Sequence, residues 1–255
     1  MAIDIRMNLS QYDSLGRPFG AEGVLKVMDK YSIERAALVS GLAVDSDLRL
    51  GNKELFDVIK SNDRLFGYLS LNPNFPEASI QLMRTAMVSR KFVAAALYYG
   101  SSMPYPNLED YKEILNAYRR FGKPVFVQIP NAEAITAAEQ MAQAFPNIKF
   151  IFGSMGGDDW KRAMSSQRLL NVMLETSGSL EVEKIEEAVE IFGGHRILFG
   201  SDMPFSDPAS MLALIQSSNI PKDEMAKILG ENAKKLFNLD RAVDVEEEPV
   251  EEVEQ

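Results

Sequence analysis

The stretch Arg196–Pro204, which reads RILFGSDMP, decides the fold that we predict for this chain. Its apolar residues, Ile197 to Phe199, have the length and composition of a strand that is buried on both faces. Asp202 follows at the carboxyl end of this strand, where parallel sheets covered by helices carry their functional side chains. An aspartate that caps a turn or a helix has the same signature, so both interpretations stay open.

Short apolar runs alternate with longer amphipathic stretches along the rest of the chain. The strand-like runs are Ala2–Ile5, Arg35–Val39, Leu65–Leu71, Val93–Tyr98, Pro124–Ile129, Ile148–Phe152, Val172–Glu175 and Ile197–Gly200. Eight such runs, each followed by a helical pattern, predict a single-domain α/β protein, a parallel (β/α)8 TIM barrel, over residues 1–239. The glutamate-rich residues 240–255 are predicted to form a disordered acidic tail.

Polar residues follow several of the predicted strands. Because the carboxyl ends of parallel barrel strands open at one mouth, we expect these residues to face each other there. The candidate site contains Arg6, Asn8, Tyr98, Gln128, Ser154 and Asp202. The sequence assigns this ring one cation, Arg6, and one anion, Asp202. Alternation along a strand puts Arg6 and Asn8 on the same side.

Composition and charge exclude several classes of protein. The net charge is −10, and the seven acidic residues after position 243 leave −3 for the rest, so no broad basic surface is available for nucleic acid. The chain has no cysteine, hence no disulfide and no thiolate chemistry. Neither a secretory signal nor an apolar run of membrane-spanning length is visible. We therefore expect a cytoplasmic protein without a membrane partner, and leave a homo- or hetero-oligomer open.

The chain has a single histidine, His195. Zinc and transition-metal sites usually use two or more imidazoles, so His195 alone cannot build one. It precedes the last predicted strand and lies seven residues before Asp202. That separation along the chain puts it at the opposite end of the barrel, where we expect a surface or loop role.

Four segments resemble the motifs of the amidohydrolase-2 family of metal-dependent hydrolases and decarboxylases, which are TIM barrels. Residues Ile3–Asn8, IDIRMN, stand where the family has Ile-Asp-x-His-x-His. Residues Phe145–Gly157, FPNIKFIFGSMGG, resemble its Phe-Pro-x-x-x-Phe-x-x-x-His-x-Gly-Gly motif. Residues Arg196–Pro204 resemble its last-strand motif, and Ile228–Phe237 is similar to its closing helix. The resemblance covers nearly the whole predicted domain.

The resemblance implies a divalent metal held by histidines, and this chain departs from the family at each of those histidine positions. Arg6 and Asn8 replace the histidines of the first strand, Gln128 that of the fifth and Ser154 that of the sixth, while Asp202 is kept. A guanidinium cannot serve as a metal ligand, and its charge repels a divalent cation at short range. We therefore predict that the metal site is lost, with no cofactor in its place.

The first of two functional hypotheses is a non-catalytic binding or partner protein, and the missing metal ligands favour it. In this hypothesis Arg6 forms a bidentate pair with Asp202, because a carboxylate without its metal needs a counter-charge. Asn8, Gln128 and Ser154 would satisfy the remaining donors and acceptors.

The alternative is a metal-independent enzyme, either a lactonase-like hydrolase or a decarboxylase, that acts on a small carboxylated substrate. Arg6 would clamp the carboxylate and Asp202 would act as general base, with Ser154 and Gln128 orienting the substrate or water. Room for a substrate beside Asp202 would favour the enzyme. A mouth filled by Arg6, Tyr98 and Tyr99 would favour the binding protein.

Overall fold

The computed structural model describes residues 2–99 and 105–239. The predicted acidic tail, residues 240–255, lies outside the described residues. The strands are β1 (Ala2–Leu9), β2 (Ile33–Ser40), β3 (Leu65–Ser70), β4 (Phe92–Leu97), β5 (Val125–Val127), β6 (Phe150–Phe152), β7 (Val172–Glu175) and β8 (Ile197–Leu198). They form one sheet in sequence order, and each neighbouring pair is parallel. The predicted TIM barrel is confirmed.

Backbone hydrogen bonds between β1 and the residues after β8 complete the ring. Ile5 N–H donates to the carbonyl of Phe199 at 2.9 Å, and Asp202 N–H donates to the carbonyl of Arg6 at 2.8 Å. The predicted strand Ile197–Gly200 ends earlier in the structure, at Leu198. The reason is that the following residues leave β7 and pair with β1. This closure places Asp202 directly beside Arg6.

Helices surround the barrel. They are α1 (Gly20–Lys30), α2 (Gly41–Asp45), α3 (Leu48–Lys60), α4 (Pro76–Ala86), α5 (Leu108–Tyr118), α6 (Ala132–Ala144), α7 (Trp160–Met164), α8 (Val182–Phe192), α9 (Pro208–Ser217), α10 (Lys222–Ala226) and α11 (Asn232–Phe237). Side-chain caps begin several of them: Asp47 accepts from Leu50 N–H, and Asn131 accepts from Ala134 N–H. The short helix α2, which follows β2 directly, was not predicted. Among the described residues, no helix combines the length and apolarity needed to cross a membrane.

The barrel interior and the helix-covered exterior have separate apolar clusters. Ile5, Tyr68 and Phe126 belong to the interior cluster, together with Phe237 of α11. The ring of Phe237 packs edge-on against Tyr68 with centroids 6.2 Å apart. Helix α11 fills the end of the barrel at which the strands begin. The open mouth therefore lies at the carboxyl ends of the strands, where the candidate site was predicted.

Candidate active site

A bulge in β1 turns Arg6 into the barrel. Asp4 pairs with Ala36 and Met7 with Leu38, so three steps along β1 match two along β2. Ile5 joins the interior cluster while Met7 joins the exterior one. The extra residue between them is Arg6, and its guanidinium carbon lies 5.3 Å from the centroid of the interior ring of Phe126. Bulges often redirect a side chain next to a functional site, and this one does so for the only cation predicted there.

The guanidinium of Arg6 is buried and held on one side by hydroxyl groups. Its Nη1 donates to the Oγ of Ser154 at 2.8 Å and to the Oγ of Ser177 at 2.5 Å, and it lies 3.3 Å from Glu175 Oε2. Its Nε lies 3.2 Å from Asp202 Oδ1, in a geometry that forms no hydrogen bond. The expected contact between Arg6 and Asp202 is present, but it is a single ion pair and not the bidentate pair that we predicted.

The sequence analysis missed Glu175, which is the more deeply buried partner of Arg6. Its side chain is fully buried, and it accepts hydrogen bonds from Ser154 N–H at 3.1 Å and from Ser177 N–H and Oγ. The prediction of a single anion in the ring was therefore wrong. The alternation of β7 could have revealed Glu175, because it shares a face with Met173, which belongs to the interior cluster.

Gly200 leaves the space that Glu175 occupies. A Cβ atom at position 200 would overlap the Oε1 atom of Glu175. We expect Gly200→Ala to lower the free energy of unfolding by about 1–3 kcal/mol, as overpacking does in well-packed cores. The measurement is urea unfolding. Gly41→Ala is the control, because a Cβ there would meet its nearest atom, the carbonyl oxygen of Leu9, at an ordinary 3.7 Å. Equal stability of the two variants would contradict the expectation.

Asp202 is the accessible carboxylate of the site. Its backbone is left-handed, with a φ of 62°, and its side chain is 28% exposed, whereas that of Arg6 is only 5% exposed. The amide of Asn8 donates to Asp202 Oδ1 at 3.0 Å and to the carbonyl of Met203 at 3.2 Å. Asn8 therefore orients Asp202, and the two side chains meet as predicted.

Tyr98 and Gln128 are the remaining candidate residues. The Gln128 Oε1 atom is buried and has no hydrogen-bond partner among the described residues. The buried Tyr98 hydroxyl lies close to the Arg6 guanidinium, which favours the ionised form of Tyr98. Burial raises the pKa of Tyr98 above its ordinary value, and its ring stacks on Phe126 at 5.6 Å. The predicted role of Gln128 in completing the hydrogen bonds between Arg6 and Asp202 was wrong. The Oε1 atom of Gln128 remains available to a ligand. Tyr99 instead contacts Tyr105, with ring centroids 4.8 Å apart.

Asp4 is a second carboxyl group that sequence reasoning did not place. Its Oδ1 accepts from the backbone N–H of Arg6 at 3.0 Å and of Ser201 at 3.1 Å, so it joins β1 to the segment after β8. Burial raises the pKa of Asp4 to about 7, in opposition to these hydrogen bonds. Folding thus brings the pKa of Asp4 close to neutral pH.

Because the pKa of Asp4 is raised from 3.8 to about 7 on folding, the folded state binds more protons between these pH values. The free energy of unfolding should therefore fall as the pH rises from 4 to 7, by up to about 4 kcal/mol from this group. Asp4→Asn should remove that fall, while the same change at exposed Asp45 should not. Urea unfolding at several pH values measures the difference from wild type. Parallel pH profiles of wild type and Asp4→Asn would contradict it.

The donors at the mouth do not suit a divalent metal. Asn8, Gln128 and Ser154 are uncharged, and the Arg6 guanidinium lies 3.2 Å from the Asp202 carboxylate. In the described part of the chain no three or more His, Cys, Asp or Glu side chains gather in a way that could hold a metal ion. His195 is exposed and directly precedes β8, at the opposite end of the barrel, as predicted.

An open cavity adjoins the site. It has a volume of about 630 Å³ and lies between the segments that follow β1 and β2, with Asn8, Ser40, Leu42 and Phe205 among its lining residues. Phe205 is 60% exposed, which is unusual for a large aromatic side chain. Asn8 borders the cavity and also donates to Asp202, but neither Arg6 nor Asp202 lines the cavity, and its charged lining residues are the carboxylates Asp45, Glu54 and Asp57.

The amidohydrolase family model matches residues 7–239. Gamma-resorcylate decarboxylase of Rhodococcus jostii (strain RHA1) is 22% identical over 85% of this chain and 87% of its own length. The structure of 2,6-dihydroxybenzoate decarboxylase from Rhizobium matches with a TM-score of 0.75 and 18% identity, over 94% of this chain and 98% of that one. Dihydroxybenzoic acid decarboxylase from Polaromonas sp. JS666, with bound manganese and 2-nitroresorcinol, matches with a TM-score of 0.69 and 19% identity, over 86% of each chain. Since the family model spans most of its length, this chain belongs to the amidohydrolase family.

Proposed function

We propose that this protein decarboxylates a small carboxylated aromatic acid without a metal ion, with Arg6 and Asp202 as its reacting pair. The observation that carries the proposal is the buried guanidinium of Arg6 at 3.2 Å from the partly exposed carboxylate of Asp202. The related proteins named above are decarboxylases of dihydroxybenzoic acids. They support this alternative better than the non-catalytic protein that the sequence alone favoured.

Arg6 would bind the substrate carboxylate. The hydrogen bonds of Arg6 to Ser154, Glu175 and Ser177 all leave from Nη1, while Nε has no hydrogen-bond partner among the described residues and remains as a donor. A guanidinium that is held in place by other contacts loses little freedom when it binds, and charge-assisted hydrogen bonds are about twice as strong as neutral ones. The stack of Phe126 and Tyr98 would supply an apolar wall for an aromatic ring.

Asp202 would exchange the proton. When the bond between the ring and the carboxyl carbon breaks, its electron pair stays on the ring carbon, which then takes a proton as CO₂ leaves. The protonated form of Asp202 would give that proton, and its carboxylate would act as general base in the reverse direction. The hydrogen bond from Asn8 to Oδ1 holds one oxygen and leaves Oδ2 for this transfer.

The test is turnover by chelator-treated protein. Protein dialysed against EDTA is offered a panel of hydroxylated benzoic acids, including 2,6-dihydroxybenzoate, and a matched panel of lactones, while CO₂ release and lactone opening are followed. We expect CO₂ release that EDTA does not abolish and that Asp202→Asn lowers by about 100-fold or more. Release that depends on added Mn²⁺ or Zn²⁺ would contradict metal-independent chemistry. Lactone opening alone would support the hydrolase instead.

A non-catalytic binding protein is the second candidate. The observation that favours it is that the carboxylates of Glu175 and Asp202 already neutralise the positive charge of Arg6 within the fold. Calorimetry separates the candidates. Binding of 2,6-dihydroxybenzoate without CO₂ release from any acid in the panel would support this second function and exclude the first.

A further inference from the structure

Lys184 is a buried lysine on the face of α8 that packs against the barrel. The residue is only 4% exposed, although lysine is almost never this buried unless it is paired. Its Nζ donates to the carbonyl of Ser154 at 2.9 Å and to the carbonyl of Gly157 at 3.3 Å. Lys184 therefore contacts the segment that follows β6 and not the solvent.

That segment has an unusual backbone. Ser154, Met155, Gly156 and Gly157 all have positive φ angles, of 53°, 52°, 95° and 63°. A left-handed conformation is unfavourable for a non-glycine residue, so consecutive residues keep it only when surrounding contacts impose it. The two carbonyls that bind Lys184 lie at the two ends of this left-handed run. The ammonium ion therefore ties its ends together.

The same run positions the groups around Arg6. Ser154 accepts from Arg6 Nη1 through its Oγ at 2.8 Å and donates its N–H to Glu175 Oε2 at 3.1 Å. Its third polar group, the carbonyl, is the one that Lys184 holds. A change in the backbone at Ser154 would consequently move the contacts of both the cation and the buried anion of the site.

We propose that Lys184 is a positioning residue of the active site: it fixes the Ser154–Gly157 run so that Ser154 orients Arg6 and Glu175 for a carboxylated ligand. This inference rests on the proposed function, because it assumes that Arg6 binds a carboxylate. Lys184 itself need not touch the ligand. Its charge is kept near neutral pH: burial lowers its pKa to about 8, while Glu175, Glu181 and Asp158 favour the charged form.

Lys123 provides a matched control at the other end of the barrel. It precedes β5, its Nζ donates to the carbonyls of Met87, Ser89 and Phe92, and burial lowers its pKa to about 8 as well. The two lysines thus share charge, carbonyl partners and a lowered pKa, although Lys123 is half-buried and Lys184 is buried. They differ in that Lys184 holds the segment that carries Ser154.

The experiment measures two quantities in Lys184→Met, Lys184→Arg and Lys123→Met. The first is the Kd of 2,6-dihydroxybenzoate by calorimetry, and the second is hydrogen exchange of the Ser154 amide in the free protein. We expect Lys184→Met to weaken binding by at least 10-fold and to speed exchange at Ser154 by a similar factor. Lys184→Arg should restore both to within about 3-fold, because arginine keeps the charge and the donors. Lys123→Met should change neither, even where it lowers Tm as much.

If Lys184→Met keeps the Kd and the Ser154 exchange rate of wild type, the positioning role is overturned. It is also overturned if Lys123→Met changes the Kd and the exchange rate as much as Lys184→Met does. If Lys184→Met does not fold, Lys184→Arg decides the question, since a disordered segment at Ser154 in that variant would also refute it. If wild type binds no aromatic carboxylate, the proposed function fails. The exchange measurement then still decides whether Lys184 positions Ser154.

Discussion

Replacing Arg6 with methionine is expected to weaken binding of 2,6-dihydroxybenzoate by more than about 100-fold and to abolish turnover. The guanidinium is the cation in contact with Glu175 and Asp202, and it is the group that a substrate carboxylate would meet. Methionine keeps much of the side-chain volume against Phe126 but provides no donor. Calorimetry with the ligand and assays of CO₂ release measure the two effects.

The fold needs its own control, because removing Arg6 leaves two neighbouring carboxylates without their cation. Arg162→Met removes an ion pair on the barrel exterior, where Nη2 of the 38% exposed Arg162 lies 2.7 Å from the buried carboxylate of Glu139. This variant should lose stability and keep its affinity for the ligand. Arg6→Lys adds a milder test: it keeps a charge but loses the planar fork, so it should recover little of the affinity. Unchanged binding in Arg6→Met would remove Arg6 from the proposed mechanism.

Replacing Glu175 with alanine is expected to lower the free energy of unfolding by about 3–5 kcal/mol, because it leaves the buried guanidinium of Arg6 with one weak ion pair. The N–H groups of Ser154 and Ser177 lose their acceptor as well. Burial decides the size of this effect, because an ion pair in water contributes little. Urea unfolding of the variant and of wild type at neutral pH gives the difference.

Two further variants test whether the effect of Glu175→Ala comes from burial and from charge. Asp57→Ala removes an exposed carboxylate with contacts to Lys53 and Lys60, and it should change stability by about 1 kcal/mol or less. Glu175→Gln keeps the volume and one acceptor oxygen but removes the charge, so its cost should fall between the other two. A Glu175→Ala protein as stable as Asp57→Ala would show that the buried ion pair contributes nothing.

The sequence was sufficient for the barrel, because the alternation of apolar runs and amphipathic stretches directly reflects how strands and helices pack. It was also sufficient to bring Arg6, Asn8, Ser154 and Asp202 to one mouth. The bulge in β1 was not foreseeable, since regular alternation puts Asp4 and Arg6 on one side and only the pairing with β2 shows the extra residue. The prediction of one anion at the mouth was wrong because Glu175 was treated as the last residue of a strand and not as a side chain that points into the barrel.

The interaction between Gly200 and Glu175 also constrains how relatives of this chain can vary. A side chain at position 200 would occupy the space of the Glu175 carboxylate, because its Cβ would overlap the Oε1 atom. A larger residue at position 200 should therefore occur only in natural homologues with a short residue at position 175. Those homologues would also lack the buried anion opposite Arg6, so the loss of one glycine would accompany a change in the charge balance of the whole pocket.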